Sequence, residues 1–66
     1  MPNIRVELFE GRSLRQKQEF VDVITRETAR ILKCEMNDVD VIFVDIEREN
    51  WAIGGKIQKL VKKVRK

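Results

Sequence analysis

Residues 2–9, Pro-Asn-Ile-Arg-Val-Glu-Leu-Phe, decide the fold. Ile4, Val6 and Leu8 alternate with Asn3, Arg5 and Glu7, the two-residue period of a half-buried strand. Glu10-Gly11-Arg12 interrupts the pattern, and Gly11 can take the positive φ that a reversal there requires. Ser13 reads as a helix N-cap, with Gln16 completing a capping box. Residues 14–33 contain neither Gly nor Pro, and Leu14, Val21, Ile24, Thr28, Ile31 and Leu32 follow helical spacing. A short connection over 34–38 leads to residues 39–46, Val-Asp-Val-Ile-Phe-Val-Asp-Ile, a second strand whose unbroken centre suits burial on both faces. Strand, long helix and strand predict an α+β fold: a short β-α-β unit with parallel strands and a right-handed crossover. Two strands alone leave open edges and an uncovered face, so oligomerisation is expected to complete the unit.

Size argues the same way. The 66 residues are read as one domain, 1–66. A chain this short hides only about 60% of its unfolded surface. Small scaffolds need disulfides, a metal or association. One cysteine, Cys34, and no histidine exclude an intrachain disulfide and a zinc site, so no cofactor or metal is expected and association remains. Cys34 reads as a semi-buried residue near a helix end, with no histidine to activate its thiol. The longest apolar run, Val41 to Val44, is far short of the roughly 20 residues that cross a bilayer, and no signal peptide is evident. No membrane partner is expected, and a cytoplasmic location follows by default.

The net charge of +3 is uneven. Residues 56–66 form a basic arm with Lys56, Lys59, Lys62, Lys63, Arg65 and Lys66 and no acid, while the first 55 residues carry a net −3. Such an arm can bind nucleic acid or pair with the acidic surface of another copy. The chain has only four aromatic residues and none in the arm, which provides poorly for base stacking. Residues 57–64 place Ile57, Leu60, Val61 and Val64 at helical offsets, read as a short amphipathic helix or a hairpin arm packing on a neighbour.

Conventional catalytic sets are missing. Without histidine there is no triad and no imidazole base, and Gly54-Gly55 is too little for a phosphate loop. Glu7, Asp40, Asp45 and Glu47 could act as acids or bases, but spacing selects no pair among them. Pro2 remains. With Met1 removed it carries a secondary amine; with Met1 retained its nitrogen is an amide without basicity. From position alone, the plainer reading is that Pro2 permits methionine excision and starts a strand.

Three features in order change that balance: Pro2 heading a strand, Phe9-Glu-Gly-Arg-Ser13 at its end, and Trp51-Ala-Ile-Gly-Gly55 near the chain's end. Together they resemble the 4-oxalocrotonate tautomerase (2-hydroxymuconate tautomerase) family of the tautomerase superfamily, over the whole chain. The resemblance implies an isomerase in which Pro2 is the general base that ketonises a 2-hydroxy-dienoate or a related enol of an α-keto acid. It implies that Arg12 binds a substrate carboxylate and that Trp51 lines an apolar pocket. It also implies a homohexamer, a trimer of dimers in which neighbouring chains complete each site. Burial and nearby positive charge both lower an amine's pKa from its usual value of about 7.7–8.0, which suits a base working near neutrality.

The chain departs from the family at Asp40, where well-studied members carry a second arginine. Three consequences are open. The substrate is smaller or a monocarboxylate; another cation, Arg48 or Arg5, enters from a neighbour; or the reaction differs. In the last case Asp40 would activate water in a hydratase- or dehalogenase-type lyase. Asp40 can also be a solvent-facing strand residue paired with a lysine, and Arg12 a loop partner of Glu10 or Glu47. A nucleic-acid-binding module is the reading from a different class.

Overall fold

A computed structural model describes residues 1–60. Strand β1 (Asn3–Phe9) runs into a turn at Glu10-Gly11, where Gly11 has φ 117°. Helix α1 (Leu14–Leu32) begins at the predicted capping box: the Gln16 amide donates to Ser13 Oγ (3.1 Å) and the Ser13 amide donates to Gln16 Oε1 (2.9 Å). The helix stops one residue before its expected end. Lys33 turns left-handed at φ 58° and ψ 54°, and the Cys34 amide closes back on the Ala29 carbonyl at 3.1 Å, a Schellman-type stop. A single 3-10 turn over Met36–Asp38 then leads into strand β2 (Asp40–Ile46).

β1 and β2 pair in parallel, from Asn3 opposite Asp40 to Phe9 opposite Ile46. Ile4, Val6 and Leu8 share the helix-covered face with Val41 and Phe43, and Phe20 of α1 meets Phe43 edge-on at 6.0 Å between ring centroids. Lys17 reaches from α1 to Asp45, Nζ to Oδ2 2.7 Å, with a fifth of its side-chain surface left exposed. A second 3-10 turn (Arg48–Asn50) is followed by an antiparallel hairpin of β3 (Ala52–Ile53) and β4 (Lys56–Ile57). Gly54 and Gly55 both have positive φ, 57° and 84°, the requirement of a two-residue type I′ turn. Of the two forms read for the arm, the described part is a hairpin, placed at 52–57; Val61 to Lys66 lie outside the described residues.

No described residue is fully buried within one chain. Ile42 is 47% exposed, so the expected burial of the second strand on both faces is not met among the described residues of a single chain: α1 covers one face and none of them covers the other. Leu14, Phe20, Val23, Ile31 and Leu32 leave apolar surface open along α1. The Cα radius of gyration is 15.0 Å, against about 11 Å for a compact domain of this length. Both facts have one physical cause: a β-α-β unit of this size has two layers of apolar surface and enough chain to cover only one.

Candidate active site

Pro2 is half-buried at the head of β1, and its carbonyl accepts the Asp40 amide at 2.9 Å. Beside it lies a cavity of about 350 Å³ lined by Met1, Pro2, Leu32 and Cys34. The helix creates this neighbourhood. At 1.5 Å per residue, nineteen residues of α1 run back about 28 Å, enough to return from the end of a seven-residue strand to its start. Leu32 and Cys34 therefore stand over the proline, and Cys34 is half-buried.

Arg12 sits at the other end of the sheet. It lines a cavity of about 290 Å³ between α1 and the strands, with Val6, Leu8, Gln16, Lys17, Phe20 and Phe43. Among the described residues it enters no salt bridge, so the pairing with Glu10 or Glu47 considered from sequence does not form. Lys17 stands 5.5 Å above the Phe43 ring in the same cavity. Arg12 and Lys17 thus give an apolar groove a cationic rim.

Trp51 and Arg48 belong to the same sheet end but to a different cluster. Trp51 packs on Phe9 with ring centroids 4.5 Å apart, and the Arg48 guanidinium lies 4.0 Å from the Phe9 centroid. Arg48 is thereby held by an aromatic face and also lines a polar cavity of about 390 Å³ with Glu10, Glu47, Glu49 and Lys59. There the hydrogen bond that protonated Glu47 donates to Glu49 and the charges of Glu10 and Glu49 push the Glu47 carboxyl above its usual pKa, with Lys59 opposing them. Lys59 faces Glu49 at 3.8 Å.

The structure therefore groups Pro2 with Asp40 and separates them from Arg12, Arg48 and Trp51. Seven strand residues rise about 23 Å, so Pro2 and Arg12 of one chain cannot touch one small substrate. Asp40 is exposed and opposite Asn3, in no salt bridge among the described residues; the lysine partner considered from sequence does not appear. Leu32 as a neighbour of Pro2 was missed by sequence reasoning. The signal was available in the matched lengths of helix and strand. No group of metal-ligating side chains occurs among the described residues, and no helix among them is long and apolar enough to cross a membrane.

Comparison with known proteins adds a lineage to this geometry. A family profile described as "Tautomerase enzyme" matches residues 2–61. A protein of Streptococcus agalactiae named "Probable tautomerase" is 32% identical over 59 residues, covering 89% of this chain and 98% of that one. The "2-hydroxymuconate tautomerase" of Comamonas testosteroni is 33% identical over 55 residues, covering 83% of this chain and 87% of that one. The crystal structure of a 4-oxalocrotonate tautomerase homologue superposes with a TM-score of 0.88 at 32% identity, over 96% of this chain and all of that one. A heterohexameric 4-oxalocrotonate tautomerase from Chloroflexus aurantiacus shares the fold with a TM-score of 0.86 at 24% identity, over 94% of this chain and all of that one.

Proposed function

The chain belongs to the tautomerase family, and from that premise we propose that it is a 4-oxalocrotonate tautomerase-like isomerase whose base is the amine of Pro2, freed by removal of Met1. The observation that carries the reading is the placement of Pro2: half-buried, fixed by a backbone hydrogen bond to Asp40 and beside a cavity walled by Leu32 and Cys34. A rigid, partly desolvated amine is what a general base near neutral pH requires.

The substrate is an enol of an α-keto acid. Pro2 takes the enol proton and returns a proton to carbon, so the carbon–carbon double bond shifts and a ketone forms. Arg12 holds a carboxylate by its planar fork and stabilises the dienolate between the two proton transfers. Since Pro2 and Arg12 lie at opposite ends of β1, the arginine of a site comes from another copy. This supports a homo-oligomer, and the open apolar faces of α1 and the sheet supply its contacts. We assign it as a hexamer of single-domain chains, with Trp51 of a neighbouring copy walling the pocket.

Pro2→Ala and Arg12→Ala test this reading. Each is expected to lower ketonisation of 2-hydroxymuconate or phenylenolpyruvate by about 10²–10⁴-fold while circular dichroism is unchanged. Wild-type turnover in either variant refutes the assignment. A second reading has one observation behind it, the Asp40 amide bonded to Pro2, which sets a carboxylate able to activate water at the proline end. Product analysis by NMR separates the two: a hydrated adduct of an unsaturated acid marks the lyase, a ketone the isomerase.

A further inference from the structure

The ion pair between Lys17 and Asp45 has no part in the chemistry proposed above. The Lys17 ammonium lies 2.7 Å from Asp45 Oδ2 and 5.5 Å above the Phe43 ring, and only 20% of the lysine side chain is exposed. A lysine head ordinarily stays in water, and a surface ion pair adds little stability. What the pair adjoins is the groove that Arg12 rims. Lys17 and Arg12 line the same cavity of about 290 Å³, with Phe43 as a wall. A cavity of that volume is about 8 Å across, within the Debye length of about 10 Å at 0.1 M salt, so charges on its walls act on one another.

Asp45 is the one acid that β1 and β2 place on this side of the sheet. In the register it lies opposite Leu8, which lines the cavity, whereas Glu7 and Asp40 alternate onto the other face. Its side chain is 44% exposed, which leaves it room to turn, and Lys17 is its one side-chain partner among the described residues. Arg12 enters no salt bridge among them. A carboxylate and a guanidinium fork form one of the stronger side-chain pairs, so an Asp45 without its lysine would compete for Arg12.

Resting on the isomerase reading above, we infer that Lys17 is a positioning residue: it occupies Asp45 and so keeps the Arg12 fork open for the substrate carboxylate. Without Lys17 the groove loses its excess positive charge, and Arg12 divides its time between Asp45 and the substrate. A protein whose competent form is only partly populated binds with an affinity reduced by that fraction. Once the substrate holds Arg12 the reacting complex is the same, so KM carries the effect and kcat does not.

The experiment measures kcat and KM of the Met1-free oligomer for phenylenolpyruvate, comparing wild type with Lys17→Met, Lys17→Arg, Asp45→Asn and the Lys17→Met/Asp45→Asn double variant. Lys17→Met is expected to raise KM about five- to tenfold, with kcat within about twofold of wild type. Lys17→Arg keeps Asp45 engaged and holds KM near the wild-type value. The double variant, with no free carboxylate, returns KM to near that value. It also separates this role from a structural one, because it lacks the tie between α1 and β2 as fully as Lys17→Met does. Asp45→Asn, which frees no carboxylate, is expected to leave KM at or below wild type, a result readable even if Lys17→Met does not assemble. An unchanged KM in Lys17→Met, a double variant no better than the single one, or a raised KM in Asp45→Asn overturns the inference and leaves the isomerase reading standing. A Met1-free wild type that turns over neither phenylenolpyruvate nor 2-hydroxymuconate removes the isomerase reading, and this inference with it.

Discussion

Two inactive variants should repair each other. Pro2 and Arg12 stand at opposite ends of a seven-residue strand, about 23 Å apart along its axis. A site that needs both must take them from different chains. Pro2→Ala chains keep Arg12, and Arg12→Ala chains keep Pro2. When the two are unfolded together in equal amounts and refolded, half the chains offer the proline and half the arginine, so about one quarter of sites in a randomly mixed symmetric oligomer receive both. Ketonisation followed by ultraviolet absorbance should recover to about one quarter of the wild-type rate, with native mass spectrometry confirming mixed assemblies. A second mixture sharpens the arithmetic. Wild type refolded with the Pro2→Ala/Arg12→Ala double variant should retain about one quarter of wild-type activity per chain if sites are shared, and about one half if each chain holds its own. Mixed oligomers with no recovery in the first experiment and one-half activity in the second would refute the shared site.

Other predictions concern the scaffold. Lys33→Gly should stabilise the protein by about 1 kcal/mol, because a side chain in the left-handed region at the helix stop is strained and glycine is not; an unchanged urea midpoint would contradict this. Ser13→Ala should cost about 1 kcal/mol by removing the hydroxyl that accepts the Gln16 amide, read as a lower thermal midpoint at fixed protein concentration. Glu47 binds its proton more tightly folded than unfolded, so its contribution is favourable below the unfolded pKa of about 4.5 and is lost as pH rises through the higher folded value. Glu47→Gln should therefore raise the thermal midpoint slightly at pH 7 and leave it unchanged near pH 4. An equal shift at both pH values would place the effect elsewhere.

The β-α-β unit was legible because local signals agreed with the tertiary result. The alternation of Ile4, Val6 and Leu8, the Ser13–Gln16 box and the β-branched and aromatic run at 41–44 each point to the element that forms. The helix end was misplaced by one residue because Lys33, unlike glycine, gives no sign that it will turn left-handed. Burial of the second strand was overestimated for a single chain, since an apolar run does not say whether its cover comes from the same chain or another. The candidate site residues were named from residue types and motifs. Their division between two ends of the sheet follows from strand length, but the resting place of Arg48 on Phe9 depends on the 3-10 turn at Arg48–Asn50, which polar residues alone do not specify. The neighbourhood of Pro2, Leu32 and Cys34 needed the helix to be laid back along the strand.

The central claim is that the free amine of Pro2 is the base. Its most direct test pairs intact-mass measurement with ketonisation of phenylenolpyruvate and 2-hydroxymuconate, for the protein lacking Met1 and for a form in which an added residue keeps the Pro2 nitrogen an amide. The account predicts turnover by the first and loss of about 10²–10⁴-fold in the second at unchanged fold. Equal turnover by both forms would contradict it.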